Sequence, residues 1–477
     1  MYNYDNQYQL MDLNMKNEKK IIGSVVLATL LALSTTGCGG GSSSDDPAPV
    51  VNTGVPTVTP KLAAANLVTA PNKTAALTTY ADIALSNYTD ALSDASDLVT
   101  AVAAFTATPN DTTLAAAKTA WKTARLSYGT TEIFRLSNGP IDSEDAGFMQ
   151  TWDAPEGQLN AWPLDENMID ATKAADGTTT SGNIIDTAGL FTPSGNGATE
   201  VNATTITKAV LSALNENGGD ANVATGYHAV EFLLWGQDQD YASFIDDTVT
   251  NGATTAGQRD VTDFTTAANA DRRKDFLNAA AELIVDDLTK MKDAWTAGAG
   301  SYREAFLGGG ANAIAQQDAL KQIFAGMGTF IKSELANERM AVAILTPSEE
   351  DEHSCFSDNT HVDVDKNYRG FVNVLKGEYK GAAVVGGTSL YSLLTQDNKD
   401  AIDTLVASID ERMTTMNTAV ASEHFDYQIK DGSSNKQNLK YSKNTLRRLG
   451  DIMVYVASEY GVSLQESDVT DPDETQI

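Results

Sequence analysis

Residues 77–105 read LTTYADIALSNYTDALSDASDLVTAVAAF, and this stretch decides the fold class. Its apolar residues recur at steps of three and four, which is the spacing of one face of a long α-helix. The face consists of Leu77, Tyr80, Ala84, Tyr88, Ala91, Ala95, Leu98, Val102 and Phe105. The sequence therefore predicts a long helix that buries this stripe.

The same spacing continues on the C-terminal side. Pro109-Asn110-Asp111-Thr112 is typical of a helix stop followed by an N-cap, and it predicts a second helix that runs to about Leu136. The inner face of that helix is expected to carry Leu114, Ala117, Trp121, Ala124 and Tyr128. Residues 137–200 are rich in Gly, Asp, Asn, Thr and Pro, which indicates a long irregular insertion. Helical patterns return at 204–215 and 267–297.

Gly308-Gly-Gly-Ala311 interrupts the pattern and marks the predicted domain boundary. Further helices are predicted at about 312–345, 399–423 and 436–460, with an acidic turn and a short segment at 374–379 between the first two. No convincing strand alternation is present. The sequence therefore predicts an all-α protein with two four-helix-bundle-like domains, residues 69–307 and 312–465, that share an interface. An acidic tail, 466–477, follows.

The N-terminal residues indicate export. Three lysines, Lys16, Lys19 and Lys20, precede a short apolar run that ends at Gly37-Cys38, so residues 1–38 are predicted to be a secretory signal peptide. The junction is similar to a bacterial lipoprotein processing site, although Thr35 stands where leucine is usual. We therefore expect a lipid on Cys38 and a flexible tether over 39–68. With Cys38 lipidated, Cys355 is the one cysteine left, and the fold is stabilised by packing alone.

Charge restricts the range of partners. The chain has 64 acidic and 33 basic residues and a formal net charge of −31. A surface of this sign repels nucleic acid and anionic lipid, so a polynucleotide partner is excluded from the expected functions.

The chain has only four histidines, and one lies in the segment Gly226-Tyr-His228-Ala-Val-Glu231. Residues three apart share a helix face, so His228 and Glu231 converge. Apolar neighbours on nearly all sides predict that this helix is buried, where a carboxylate must be paired or bound to a metal. Spacing leaves two interpretations open: a two-ligand metal arm, or a buried hydrogen-bonded pair.

Two other polar segments stand out. Arg125, Tyr128, Glu132 and Arg135 continue the inner face of the second predicted helix, which indicates either a cavity lining or an ion-pair network. Residues 349–363 combine carboxylates with two histidines and a thiol. A solvated acidic loop explains the carboxylates before His353, but it does not explain why His353, Cys355 and His361 lie together there. A zinc thiolate at Cys355 has weak support, because no Cys-x-x-Cys partner exists.

Together these segments resemble the imelysin family, which includes insulin-cleaving membrane proteases and iron-regulated envelope proteins. The matching motifs run in order over about residues 70–460. They are Ala-Trp121, Ala-Arg125, Tyr128, Glu132-Ile-Phe-Arg135, Asn-Gly-Pro-Ile-Asp142, Trp-Pro163-Leu-Asp-Glu166, Gly226 to Asp238, Glu334 to Met340 and Glu350 to His361. The resemblance implies a two-domain helical fold, a His-x-x-Glu segment near the domain interface, and an envelope role tied to iron.

The periplasmic iron-uptake lipoproteins of the ferrous transport system show a more distant resemblance. They share the His-x-x-Glu element and an Arg, Tyr, Glu, Ile-Asp series. Carried over, the metal ligands here are His228, Glu231, Glu132 and Asp142, a set that suits iron or another oxygen-preferring divalent metal. The residues expected to orient these ligands or line the cavity are Arg125, Tyr128, Arg135, Glu352, His353, Cys355 and His361.

The family also suggests a peptidase, but the sequence favours binding over catalysis. It contains neither His-Glu-x-x-His nor its inverse, since Phe232 follows Glu231, and it has no Gly-x-Ser-x-Gly nucleophile motif. The first hypothesis is an iron-binding lipoprotein of the cell envelope, on the periplasmic or surface side of a membrane. Its expected partners are a metal ion or an iron chelate and other envelope iron-uptake proteins. A metallopeptidase and a metal-free helical receptor or scaffold remain as alternatives.

Overall fold

The predicted long helix, α1, spans Ala70–Ala107 in the computed structural model, which describes residues 54–143, 145–173, 178–238, 256–345, 347, 351–383 and 387–471. All nine residues of the apolar stripe are buried, which confirms the prediction. The next helix, α2, spans Asp111–Gly129, and the side chain of Asn110 caps it by accepting hydrogen bonds from the amides of Thr112 and Thr113. Helix α2 also buries its predicted inner face.

Helix α2 ends earlier than the sequence predicts. The hydroxyls of Thr130 and Thr131 donate to the carbonyls of Ser127 and Tyr128, at 2.9 and 2.7 Å, and so satisfy two of the groups that a further helical turn would have used. A 3₁₀ turn follows at Glu132–Phe134. This change of direction turns the polar residues after Gly129 towards the second half of the chain.

The rest of the first half contains the irregular insertion with its short elements, the helix of the His228 segment and one further long helix. Its elements are 3₁₀ turns at Met149–Trp152 and Val261–Phe264; α3, Glu156–Leu159; α4, Glu166–Ile169; a hairpin of β1, Leu190–Phe191, with β2, Val201–Asn202; α5, Lys208–Leu214; α6, Gly226–Trp235; and α7, Ala270–Trp295. Helix α7 packs on both α1 and α6, and α2 packs on α1 and α6. These four helices pack around one part of the hydrophobic core, which extends through both halves of the chain.

Arg272, on α7, organises part of the insertion. Its guanidinium donates to five backbone carbonyls, at 2.7 to 3.0 Å, all of which lie outside helices and strands. They belong to Ile184, Ile185, Thr187, Ala203 and Thr204. The side chain of Arg272 thus holds the irregular segments 184–187 and 203–204 against helix α7. It also provides hydrogen-bond donors for carbonyl groups that no helix or sheet pairs.

The second half is also helical. Its elements are α8, Tyr302–Phe306; α9, Gln316–Thr329; a π-helix, Phe330–Ala341; α10, Val342–Leu345; α11, Thr360–Lys376; a hairpin of β3, Glu378–Tyr379, with β4, Ala382–Ala383; α12, Gln396–Ala419; α13, Phe425–Ile429; α14, Lys436–Glu459; and a 3₁₀ turn, Glu466–Val469. Helix α14 packs on α9, the π-helix and α12. Helix α11 packs on α2, the π-helix and α12, and therefore joins the two helical groups.

The structure confirms the all-α fold with a long irregular insertion. Residues Gly54–Thr470 form one compact unit, and the division near Gly308–Ala311 stays a prediction. Parts of the predicted tether and tail belong to this unit: the amide of Lys61 donates to Asn398 at 2.8 Å, and Val469 is buried. Of the helices in the described ranges, none has both the length and the apolarity that crossing a membrane requires. The predicted signal peptide and Cys38 lie outside the described residues.

Candidate metal centre

The His228 segment forms helix α6, and every residue of this helix is buried. Gly226 begins it with a φ of +80°, and a Cβ at this position would lie 2.4 Å from the carbonyl oxygen of Leu159. Only glycine fits such a close approach in the left-handed region. The indole of Trp121 donates to the carbonyl of Tyr227 at 2.9 Å, which fixes the first turn of α6 against α2. Local backbone requirements thus set the position of His228.

His228 and Glu231 form the pair that their spacing predicts. Nδ1 of His228 lies 3.0 Å from Oε2 of Glu231, and the two side chains are 1% and 0% exposed. The other carboxylate oxygen, Oε1, accepts hydrogen bonds from the amide and the hydroxyl of Ser357, at 3.0 and 2.7 Å. Nε2 of His228 is buried and has no hydrogen-bond partner among the described residues. The pair is therefore a hydrogen-bonded unit with one bare ring nitrogen.

A second histidine–carboxylate pair lies beside the first. Nδ1 of His353 lies 2.8 Å from Oδ2 of Asp363, which also accepts the hydroxyl of Ser354 at 2.5 Å. Arg125 contacts the same carboxylate at two points, Nε to Oδ1 at 3.1 Å and Nη2 to Oδ2 at 3.0 Å. The rings of His228 and His353 meet edge to face, with centres 4.7 Å apart and planes at 84°. Residues from α2, α6 and α11 thus meet around two imidazoles.

Electrostatics keep both imidazoles neutral. Burial, reinforced by the positive charge of Arg125, lowers the pKa of His228 to about 3. Burial and the positive charge of Arg339 lower the pKa of His353 to about 3. Burial also raises the pKa of Glu231 to about 8, although the hydrogen bond from Ser357 acts in the opposite direction. A neutral imidazole keeps a lone pair on one nitrogen, which is the form that binds metals.

Glu132 belongs to a separate ion-pair network. Its Oε2 lies 2.6 Å from Nη2 of Arg339 and 3.4 Å from Nη1 of Arg135. Arg339 also binds Oε1 of Glu334 at 2.7 Å and donates to Oδ1 of Asn367 at 2.5 Å. Burial acts to raise the pKa of Glu132, but Arg339 and Arg135 outweigh it and lower this pKa to about 2. Glu132 is therefore a permanent anion held by two guanidinium groups.

The π-helix makes part of this network. Glu334 and Arg339 are five residues apart, which places them on different faces of an α-helix but nearly above one another when the hydrogen bonds run from i to i+5. Both lie in the segment Phe330–Ala341 that adopts this winding. The wider turn thus allows Arg339 to reach Glu334 and Glu132 at once.

Asp142 has a different role in the structure. Its Oδ2 accepts a hydrogen bond from the amide of Leu136 at 2.5 Å, across a turn in which Leu136 and Asn138 have positive φ values of 59° and 50°. Burial raises the pKa of this carboxyl group. Asp142 thus stabilises the turn after the Glu132 segment.

The four predicted ligands consequently fall into three hydrogen-bonded groups: His228 with Glu231, Glu132 with the arginines, and Asp142 with its turn. Within the part of the chain that the structure describes, no three His, Cys, Asp or Glu side chains form a group that could hold a metal ion. Glu132 is nevertheless near enough for its charge to act on the pKa of His228.

Some of the residues expected to orient the ligands or line the cavity lie beside His228, and others contact the ion-pair network or the hydrophobic core. Tyr128 packs against Tyr227, with ring centres 4.6 Å apart, and Arg125 lies over both rings. Arg135 binds Glu156 and Glu334 at 3.1 and 3.0 Å. Glu352 is buried, whereas Cys355 is half-buried and packs against the hydrophobic core. Burial lowers the pKa of His361 to about 4.

Sequence reasoning missed Ser357, Asp363 and Asn160 as parts of the centre. Asn160 accepts a hydrogen bond from Nη1 of Arg125 at 2.5 Å. A signal for Asp363 existed, because Asn359-Thr360 could have been recognised as the start of a helix that buries Asp363 in its first turn. Nothing in the local pattern indicates that Ser357 contacts Glu231, 126 residues earlier.

Comparisons with known proteins agree with this architecture. The curated proteins contain no match to this chain. A protein from Parabacteroides distasonis ATCC 8503, described by inference as an iron-regulated protein A precursor, has a crystal structure similar to this one. The TM-score is 0.59 at 18% sequence identity, over 84% of this chain and 98% of that chain, so this likeness concerns the fold. The family model described as Imelysin matches residues 84–452. Because that match covers most of its length, the chain belongs to the imelysin family.

Proposed function

We propose that this chain is a cell-envelope protein that binds a metal ion, iron in its physiological role, and serves iron acquisition. The observation that carries the proposal is Nε2 of His228, a buried ring nitrogen without a hydrogen-bond partner in the described ranges. Most buried polar atoms are paired, so this nitrogen is open to a ligand. Membership of the imelysin family and the fold shared with a protein described as iron-regulated support iron.

The surroundings of His228 fit a metal ligand. A metal-binding histidine typically donates its other ring N–H to a carboxylate, which fixes the tautomer and the ring orientation. Glu231 occupies that position, and Ser357 holds Glu231 in turn. Burial keeps the imidazole neutral, as coordination requires. In this proposal the bound ion displaces the proton that Glu231 and His228 share, so that Glu231 becomes the ionised orienting carboxylate and Nε2 of His228 the donor atom.

The carboxylates named by the family resemblance remain candidates for further ligands. Glu132 and Asp142 each keep one buried oxygen, Oε1 and Oδ1, without a hydrogen-bond partner among the described residues. Glu132 is the stronger candidate, because its charge acts on His228. Its pairing with Arg339 and Arg135 keeps it ionised.

The geometry supports binding better than peptide hydrolysis. A general base needs a carboxylate oxygen that can take a proton from water. In Glu231, one oxygen faces His228 and the other accepts two hydrogen bonds from Ser357. Chelator-sensitive cleavage of a peptide substrate by the purified chain, lost on replacement of His228, would favour the metallopeptidase alternative instead.

The test is titration of the chain with Fe²⁺ under anaerobic conditions, and with Zn²⁺ and Mn²⁺ in parallel, followed by calorimetry. We expect one ion per chain in the wild type and none in His228→Gln. His424→Gln is the matched control, since His424 also pairs with a carboxylate, that of Asp358. Helical circular dichroism verifies the folding of each variant. If no metal ion binds the wild type, the chain is better regarded as a metal-free receptor or scaffold.

We also propose that the mature chain begins at Cys38 and carries lipid there, on the periplasmic or surface side of a membrane. The support is the lysine-flanked apolar run that ends at Gly37-Cys38. Intact-mass analysis of the membrane fraction tests it. A mature N-terminus elsewhere, or an unmodified Cys38, would contradict lipid anchoring and leave export standing.

A further inference from the structure

His353 was expected to line the cavity, but the structure places it in the same relation to a carboxylate as His228. In each pair Nδ1 faces a carboxylate oxygen, at 3.0 Å from Glu231 and at 2.8 Å from Asp363. Both imidazoles are nearly inaccessible, with 1% and 2% exposure. A hydrogen bond at Nδ1 leaves Nε2 as the remaining ring nitrogen of each histidine. The two histidines therefore share the same contact between Nδ1 and a carboxylate oxygen.

Both carboxylates are themselves held in place. Glu231 accepts two hydrogen bonds from Ser357, and Asp363 accepts the hydroxyl of Ser354 and a two-point contact from Arg125. Outer partners of this kind are what orient imidazole ligands in metal sites.

The separation of the rings suits a shared ion. With metal–nitrogen distances of about 2.0–2.1 Å, two imidazoles bound to one ion have ring centres roughly 4.5–5.5 Å apart. The observed separation is 4.7 Å. An edge-to-face packing contact without any metal would give a similar distance. The choice between a shared ion and a packing contact therefore depends on whether the two rings bind a metal.

We propose, resting on the function proposed above, that His228 and His353 together bind one ion through their Nε2 atoms. Two imidazoles select a nitrogen-preferring divalent ion, such as Fe²⁺, Cu²⁺ or Zn²⁺, over a hard, oxygen-preferring one. No third His, Cys, Asp or Glu joins them in the described ranges as a preformed group. The rest of the coordination shell thus comes from water or from a small ligand that arrives with the ion.

This assignment changes the expected selectivity. One imidazole with three carboxylates, the set implied by the family resemblance, would discriminate less strongly against Mn²⁺, because carboxylate ligands suit that ion. A two-imidazole centre instead prefers Cu²⁺ and Zn²⁺ over Mn²⁺ by a wide margin. The ligand count is therefore measurable both by affinity ranking and by spectroscopy.

The experiment loads the full chain, free of any histidine tag, with one equivalent of Cu²⁺ and counts coordinated imidazole nitrogens by pulsed electron paramagnetic resonance. We expect two in the wild type, one in His228→Gln and one in His353→Gln. His424→Gln is the control and should keep two. The wild-type count is decisive by itself if either variant loses its helical circular dichroism.

Three results would overturn the proposal. A single nitrogen in the wild type, removed only by His228→Gln, would make His353 a packing neighbour and leave the proposed function intact. Two nitrogens that persist in both variants would place the ion elsewhere. A wild type that binds neither Cu²⁺ nor Fe²⁺ would refute the metal function itself.

Discussion

The guanidinium of Arg125 and the carboxylate of Asp363 meet at two points, Nε to Oδ1 at 3.1 Å and Nη2 to Oδ2 at 3.0 Å, although 238 residues separate them in sequence. Both side chains are fully buried. Burial acts to lower the pKa of Arg125, but Asp363 outweighs it and leaves this pKa above its usual range. Arg125 and His353 hold the pKa of Asp363 well below its usual range, against the effect of burial. This contact fastens α2 to α11 beside the two imidazoles.

Removal of one partner should therefore be costly. We expect Arg125→Met to lower the free energy of unfolding by about 3–5 kcal/mol, because Asp363 would remain buried without its cation. The double variant Arg125→Met, Asp363→Asn should lose less than the sum of the single variants, since it leaves no unpaired charge. Urea denaturation measures all three. A loss below about 1 kcal/mol in Arg125→Met would show that the pair contributes little.

The support of His228 predicts graded effects on metal affinity. Glu231→Gln should weaken binding about 10- to 100-fold, because the amide cannot orient the imidazole as a carboxylate does. Ser357→Ala should have a smaller effect in the same direction, since the Ser357 amide still donates to Glu231. Ser392→Ala, whose hydroxyl donates to the backbone of Ser389, is the control. Equal affinities for all four proteins, measured by calorimetry, would contradict the orienting role of Glu231.

The ion-pair network predicts sensitivity to acid. Burial acts to raise the pKa of Glu334, but Arg135 and Arg339 outweigh it and lower this pKa from 4.5 to about 2. Below pH 4.5 Glu334 is therefore protonated in the unfolded chain but stays ionised in the folded chain. The stabilisation is fully present above pH 4.5 and is lost as the pH falls towards 2, on the order of 2–3 kcal/mol in all.

Glu334→Gln removes this dependence, because glutamine does not titrate. With metal chelated, its unfolding free energy should fall less steeply than that of the wild type between pH 4.5 and 3, by up to about 1.4 kcal/mol per pH unit. Between pH 6 and 8 the difference between the two proteins should be constant. Parallel curves through the acid range would show that Glu334 is not stabilised by the arginines.

The contacts of Arg272 predict a local effect on amide exchange in the segment 184–204. Arg272→Ala removes donors to five carbonyls of the segment 184–204, so amide exchange in that segment should become about 10- to 100-fold faster. Helix α7 itself should keep its protection, because its buried face is unchanged. Arg272→Lys is the informative comparison, since an ammonium group cannot reach five acceptors. Exchange rates identical to the wild type, measured by mass spectrometry, would contradict the anchoring role.

The features predicted correctly from the sequence are those that depend on residues close together in the chain. The stripe of α1 and the cap at Asn110 follow from residues three or four positions apart, and the structure confirms both. The His228–Glu231 contact follows from the same spacing. The partners of these residues could not be predicted, because Ser357 and Asp363 come from far along the chain. The winding of the π-helix was not predicted, because its residues continue the helical pattern of 312–345. Most of α11 was also missed, although Val364, Tyr368, Phe371 and Leu375 have helical spacing, because polar residues surround them.

The winding of Phe330–Ala341 has a consequence for which changes in chain length this protein tolerates. A helix with i to i+5 bonding holds about one more residue per turn than its α-helical neighbours do. Conversion to α-helix at unchanged length would place Glu334 and Arg339, five residues apart, about 140° from each other around the helix axis. Deletion of one residue between them would leave a spacing of four, which puts both side chains on one face of an α-helix. We therefore expect this segment to tolerate the loss of one residue between Glu334 and Arg339 better than the gain of one, which would turn Arg339 away from Glu132.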